Sequence, residues 1–209
     1  MNDIIPGILE KEWSEIEKKL QLIKPFAKTV HIDIIDGKFA NNTTFLNPAP
    51  FKKYSQDFFF ELHMMTDNPL SYLKTWAEAG FKRFLGHIEK MSSQKEFVRE
   101  AKLYGEAGLA IDGPTSIDKI TVSLDDLNVI LIYTSDRVGF SGPPLNTQRL
   151  EKIKALRAQN PTLPIEVDGG INDQTLPRVK EAGANRFIST SYLFNSPNLE
   201  QTFKNLTQL

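Results

Sequence analysis

Short apolar runs alternate with amphipathic stretches from one end of this 209-residue chain to the other. The runs are rich in β-branched and aromatic residues, and the stretches between them repeat their apolar residues with helical spacing. This alternation is typical of a parallel β-sheet whose strands are connected by helices. We predict strands at residues 4–9, 29–35, 57–64, 83–87, 107–111, 129–133, 165–168 and 186–189, and helices at 12–23, 69–79, 94–104, 116–123, 147–158, 173–181 and 198–206.

The number of strand–helix units, set against the length of the chain, favours closure of the sheet. Eight strands followed by helices fit the compact end of the size range of a (β/α)₈ barrel. The sequence contains no linker, low-complexity tract or block of like charge that would divide it. We therefore predict an α/β fold in which residues 1–209 form a single TIM barrel, with a doubly wound open sheet as the alternative.

Composition excludes several classes of function. The 25 basic and 26 acidic residues give a net charge of −1, so we expect neither nucleic acid nor a membrane as a partner. The chain has no cysteine, so a bound metal would need nitrogen and oxygen ligands. The first residues lack the pattern of a secretory leader, and no apolar stretch reaches membrane-spanning length. We expect a cytoplasmic location.

Histidine and aspartate side chains fall at the predicted carboxyl ends of several strands. His31 and Asp33 are two residues apart and share one face of a strand, His63 follows on the next strand, and Asp168 precedes two glycines. Each alone is as readily explained by core packing or turn chemistry. Together they would converge at one mouth as an N₂O₂ set suited to zinc, manganese or iron. The third histidine, His87, we interpret as a structural residue.

Glycine and hydroxyl side chains follow the last three predicted strands. Backbone N–H groups and hydroxyls in such loops bind phosphate without lysine or arginine, and many barrels hold a phosphate at this position. Each segment alone is an ordinary turn, but the three lie on consecutive strands. We predict phosphate or substrate contacts from Gly139, Phe140, Ser141, Gly142, Gly169, Gly170, Ser189, Thr190 and Ser191.

Six motifs, found in order along nearly the whole chain, resemble those of the ribulose-phosphate 3-epimerase family. They occupy residues 6–9, 31–39, 63–65, 139–142 and 167–171, with the last motif divided between 182–185 and 189–191. The resemblance implies a barrel of the ribulose-phosphate-binding type. It also implies a pentose phosphate pathway isomerase that converts D-ribulose 5-phosphate to D-xylulose 5-phosphate, and we expect a homo-oligomer.

By this resemblance, His31, Asp33, His63 and Asp168 bind one divalent ion, most simply zinc, with manganese or iron as alternatives. Asp33 and Asp168 also form the acid/base pair. One aspartate would remove the proton next to the carbonyl and the other would return a proton on the opposite face, through an enediolate that the ion stabilises as a Lewis acid. Met65, Phe140 and Phe39 would keep water from the enediolate. His63, Met65 and Phe140 would contact the substrate.

The chain departs from the family pattern in the walls of the site. Gly7 stands where the family has a serine that faces the substrate, Thr190 where glycine is usual, and Ile35 where methionine is usual. The loop at residues 133–143 also differs, with Pro143 in place of a glutamine. These departures put the identity of the substrate in question more than the type of reaction.

Three alternatives follow from the same features. The first is an epimerase of a six-carbon ketose phosphate such as allulose 6-phosphate, because altered walls would change the size of the pocket. The second is a non-catalytic paralogue that binds a sugar phosphate or a protein. A hexulose-phosphate synthase or decarboxylase is disfavoured, since residues 31–36 lack the lysine of the Asp-x-Lys-x-x-Asp pattern of those enzymes.

Overall fold

Eight parallel strands form a closed barrel in the computed structural model, which describes residues 3–209. Hydrogen bonds between the first and last strands close the sheet, so the TIM-barrel prediction is confirmed and the open sheet is excluded. The strands are β1 Asp3–Ile8, β2 Thr29–Ile35, β3 Phe59–Met65, β4 Phe81–His87, β5 Glu106–Ile111, β6 Val129–Tyr133, β7 Ile165–Asp168 and β8 Arg186–Ser189.

Helices connect most of the strands and cover the outside of the barrel. They are α1 Trp13–Ile23, α2 Leu73–Glu78, α3 Gln94–Tyr104, α4 Leu150–Gln159, α5 Leu176–Glu181, α6 Ser191–Phe194 and α7 Leu199–Gln208. Between β2 and β3 the connection is a 3₁₀ helix, Ala49–Tyr54, which follows Pro48. The four-residue helix α6 was not predicted. No helix within residues 3–209 has the length and apolarity needed to cross a bilayer.

The predicted helix at 116–123 was wrong. The structure instead has two 3₁₀ turns, Ile117–Lys119 and Leu124–Asp126, and neither contains a buried residue. The hydroxyls of Ser116 and Ser123 accept hydrogen bonds from backbone N–H groups two residues further along the chain. Serine side chains that bond their own backbone in this way favour short turns over a continuous helix.

Strand alternation separates a large outer core from an interior that holds polar side chains as well as a smaller apolar cluster. Ile32 and Ile34 of β2 point outward into the apolar layer between the strands and the helices. The residues between them in sequence, His31 and Asp33, therefore point into the barrel. The fold thus gathers polar side chains from several strands inside one closed ring.

Candidate active site

A cavity of about 590 Å³ opens at the carboxyl end of the barrel. Asp33 on β2, Met65 at the end of β3 and Asp168 at the end of β7 form one part of its wall. The loops after β6, β7 and β8 form another part. The cavity therefore lies where barrel enzymes carry their active sites, and its volume suits a small ligand.

The four predicted metal-ligating residues converge beside this cavity. One donor atom from each of His31, Asp33, His63 and Asp168 lies within 4.8 Å of the other three, and all four residues are buried. Asp33 Oδ1 is 2.8 Å from His63 Nδ1 and 3.4 Å from His31 Nε2, and Asp168 Oδ2 is 3.7 Å from His63 Nδ1. Asp33 and His63 meet because they are register partners on neighbouring strands.

The imidazole of His31 is oriented by a carboxylate behind it. His31 Nδ1 lies 2.8 Å from Glu61 Oε1, so this nitrogen donates its proton to Glu61. His31 Nε2, which faces the other three residues, is buried and has no hydrogen-bond partner. A histidine held by a carboxylate on one nitrogen, with the other nitrogen free, is the arrangement found around ligated metals. The buried cluster therefore fits a divalent ion.

His63 is oriented by the third histidine. His63 Nε2 lies 2.9 Å from His87 Nε2, and His87 Nδ1 lies 3.1 Å from Glu89 Oε2. Because Glu89 accepts the proton of His87 Nδ1, neutral His87 has its lone pair on Nε2, and His63 must donate from its own Nε2. Burial lowers the pKa of His87, which keeps this ring neutral. His63 Nδ1 then presents its lone pair to the cluster, and His87 has the structural role that the sequence suggested.

A layer of charges fills the barrel beneath the cluster. Arg186 contacts Glu61 and Glu166 at 2.8 Å, and Arg83 contacts Glu61 at 2.6 Å. The charges of His31 and the two arginines lower the pKa of Glu61 despite its burial. Glu61 therefore stays ionised and holds His31 in place. This layer was not predicted from the sequence.

The two aspartates differ in their affinity for a proton. Burial raises the pKa of Asp33, but the nearby charge of His31 outweighs it and lowers the pKa to about 2. Burial and the nearby carboxylate of Asp33 raise the pKa of Asp168 to about 7. Burial lowers the pKa of His31, but Asp33, Glu166 and Glu61 raise it well above its usual value. Two carboxyl groups with separated pKa values can act as base and acid at one site.

The turn after Asp168 requires its two glycines. Gly169 and Gly170 have φ angles of +113° and +77°. A Cβ on Gly170 would lie 2.2 Å from the backbone nitrogen of Leu145, so a side chain has no room there. The hydroxyl of Thr134 donates to the carbonyl of Gly169 at 2.6 Å. The loops after β6 and β7 are thereby held together at the rim of the cavity.

Most of the predicted phosphate and substrate residues line the same cavity as Asp33 and Asp168. They are Met65, Phe140, Ser141, Gly142, Gly169, Gly170, Thr190 and Ser191. Of the remaining three, His63 lies in the buried cluster and the other two make different contacts. Ser189 is buried and its hydroxyl donates to the carbonyl of Ile171, while the carbonyl of Gly139 accepts from the side chain of Asn42. The lining also includes Asn172, Tyr192, Asn195 and Ser196, which the sequence analysis did not select.

The fold and the site together define a TIM-barrel enzyme with two histidines and two aspartates at its mouth. The chain belongs to the ribulose-phosphate 3-epimerase family, whose model matches residues 3–194. It is accordingly an isomerase of the epimerase type, and the family resemblance drawn from the motifs is confirmed.

Relatives cover most of the chain. A ribulose-phosphate 3-epimerase of Chlamydia pneumoniae is 35% identical over 179 residues, which are 81% of this chain and 77% of the relative. Those of Schizosaccharomyces pombe and Bacillus subtilis are each 28% identical, over 210 and 215 residues. The alignments span 97% and 99% of this chain, and 91% and 98% of the respective relatives.

Solved structures share the fold at low sequence identity. KGPDC from Streptococcus mutans has a TM-score of 0.75 at 11% identity, covering 100% of this chain and 96% of that one. A 3-keto-L-gulonate-6-phosphate decarboxylase from Vibrio cholerae has a TM-score of 0.74 at 14% identity, covering 100% and 97%. These likenesses show the barrel fold alone.

Proposed function

We propose that this chain is a metal-dependent epimerase that interconverts D-ribulose 5-phosphate and D-xylulose 5-phosphate. The observation that carries the proposal is the buried cluster of His31, Asp33, His63 and Asp168 beside the cavity. The names of the relatives support the choice of the five-carbon substrate.

A divalent ion held by His31, Asp33, His63 and Asp168 would supply Lewis-acid stabilisation of the negative charge that develops on the substrate oxygens. The donor set of two nitrogens and two oxygens suits zinc, with manganese and iron as alternatives. The unpartnered Nε2 of His31 supports this assignment, since a buried polar atom without a partner is costly. Glu61 and His87 would keep the two imidazoles oriented.

Asp33 and Asp168 would carry the proton to and from the two faces of C3. They belong to β2 and β7, so they approach the cavity from different parts of the ring. Asp33, with its low pKa, takes the proton from one face, and Asp168, with its raised pKa, donates a proton to the other face. The roles reverse in the opposite direction. Met65 and Phe140 would exclude water from the enediolate.

The loops after β6, β7 and β8 would bind the phosphate. Gly142, Gly170 and Ser191 line the cavity on the side formed by these loops. Backbone N–H groups of glycine-rich turns and a serine hydroxyl suffice to bind a phosphate dianion. This assignment places the phosphate at the rim and the sugar carbons near the aspartates.

Steady-state kinetics with two substrates test the proposed reaction. We expect kcat/KM for ribulose 5-phosphate to exceed that for allulose 6-phosphate by at least about tenfold, the effect of one lost or gained contact in a fitted pocket. A preference for the six-carbon compound would assign the alternative substrate. Turnover of neither compound by metal-loaded protein would favour the non-catalytic paralogue.

The affinity for the ion should increase with pH. The raised pKa of His31, and that of Asp168 at about 7, mean that both groups hold protons at acidic pH which the ion must displace. We expect the Kd for zinc to fall roughly tenfold per pH unit for each proton displaced as the pH rises toward about 7. Competition with a chromogenic chelator measures this directly. A Kd independent of pH would contradict the assignment of these two residues as ligands.

A further inference from the structure

The side chain of Thr190 fills the space that a side chain at position 7 would occupy. A Cβ built on Gly7 would lie 2.3 Å from Thr190 Oγ1 and 2.8 Å from Ile188 Cγ2. Contacts below 3.0 Å require something to shift, so a Cβ at position 7 and the Thr190 hydroxyl cannot both occupy this space in the present arrangement. The lack of a side chain at Gly7 on β1 therefore leaves the room that the side chain of Thr190, directly after β8, occupies.

The same two positions depart from the family pattern in opposite directions. The pattern has a serine where this chain has Gly7, and a glycine where this chain has Thr190. One hydroxyl has been lost from β1 and one has been gained after β8, in the same space. We infer that Thr190 presents to the substrate the hydroxyl that the family pattern carries at position 7. The inference rests on the proposed function.

The position of this hydroxyl indicates which part of the substrate it contacts. Gly7 is the register partner of His31, so the contact between Thr190 and Gly7 lies beside the cluster of histidines and aspartates. Thr190 is half-buried and lines the cavity. Because Thr190 meets Gly7 beside the cluster, its hydroxyl would face the polyol carbons of the sugar phosphate, whereas Ser191, which also lines the cavity, would contact the phosphate. Thr190 is a substrate-binding residue that helps to determine specificity.

Kinetics of Thr190 variants separate the hydroxyl from the space that it fills. Thr190→Val keeps the shape and removes the hydroxyl, and we expect it to lower kcat/KM about tenfold, the effect of one hydrogen bond. Thr190→Ser keeps the hydroxyl and should stay within about threefold of the wild type. Ser191→Ala, as the matched control at the phosphate end, should act mainly through KM. Thr190→Val should act at least partly through kcat.

A double substitution tests the shared space. Gly7→Ser alone should lower the melting temperature, because its Cβ meets Thr190 and Ile188. Thr190→Gly alone should lower kcat/KM. The double variant Gly7→Ser/Thr190→Gly should recover both quantities, with kcat/KM within about threefold of the wild type, because the hydroxyl is restored from β1.

Three outcomes would overturn the inference. Wild-type kinetics for Thr190→Val would mean that Thr190 only fills space. Strictly additive effects on the melting temperature in the double variant would mean that positions 7 and 190 do not share their space. A wild-type chain that turns over no ketose phosphate would overturn the proposed function itself, and with it the substrate role of Thr190.

Discussion

Replacing either Asp33 or Asp168 with asparagine should lower kcat by about 10³-fold or more. Proton transfer by a positioned carboxyl group contributes roughly 10²–10⁴-fold to the rate. Each residue is also a proposed metal ligand, so the substitution weakens the hold on the ion as well. Asparagine has nearly the same shape but neither takes nor gives a proton at C3. Both positions lie inside a barrel closed by hydrogen bonds along all eight strands, so the fold should persist. Circular dichroism checks the fold, and initial rates with ribulose 5-phosphate check turnover.

The two variants should also differ in the epimer that they still deprotonate. If each aspartate serves one face of C3, Asp33→Asn should retain slow exchange of the C3 proton with solvent for one epimer, and Asp168→Asn for the other. Asp136→Asn is a matched control, because Asp136 lies in the loop after β6 and its side chain is largely exposed. We expect it to keep full turnover. Undiminished kcat in either active-site variant would contradict the acid/base assignment.

Removing the divalent ion should abolish turnover and destabilise the fold. The buried cluster places two carboxyl groups and two imidazoles within 4.8 Å of one another, and a cation would offset the repulsion between the carboxylates. A ligand present at about 1,000 times its Kd stabilises the folded state by roughly 4 kcal/mol. At roughly 2–4 °C per kcal/mol for a chain of this size, chelation should lower the melting temperature by about 8–16 °C.

Adding back zinc, manganese or iron in turn identifies the ion that restores activity. His31→Gln is the control, because it removes a ring nitrogen that is buried without a hydrogen-bond partner. In this variant, added metal should restore neither the rate nor the melting temperature. Full activity in protein stripped of metal, verified by elemental analysis, would rule out the proposed role of the ion.

The barrel and the four converging residues were predictable because both follow from periodicity. Alternation of strands and helices fixed the number of strands, and strand period placed His31 and Asp33 on one face. The predicted helix at 116–123 failed because two serines bond their own backbone, and that competition leaves no strong periodic signal.

Individual side-chain contacts between paired strands could not be predicted from local pattern. The contact of Thr190 with Gly7, and the orientation of His63 by His87, depend on which atoms meet on the inner face of neighbouring strands. The layer of charges did leave a signal, since Glu61 and Glu166 interrupt otherwise apolar strands. A charged residue at the centre of a buried strand indicates a partner inside the barrel, here Arg186, but the sequence does not say which one.

Proton exchange at C3 tests the central claim most directly. Ribulose 5-phosphate is incubated with the protein in deuterated water and followed by NMR, once with added metal and once with chelator. The proposed mechanism predicts that deuterium enters at C3 as xylulose 5-phosphate forms. It predicts that this exchange requires the metal and proceeds through Asp33 and Asp168. Formation of xylulose 5-phosphate with the original proton retained at C3, or no exchange with metal bound, would contradict it.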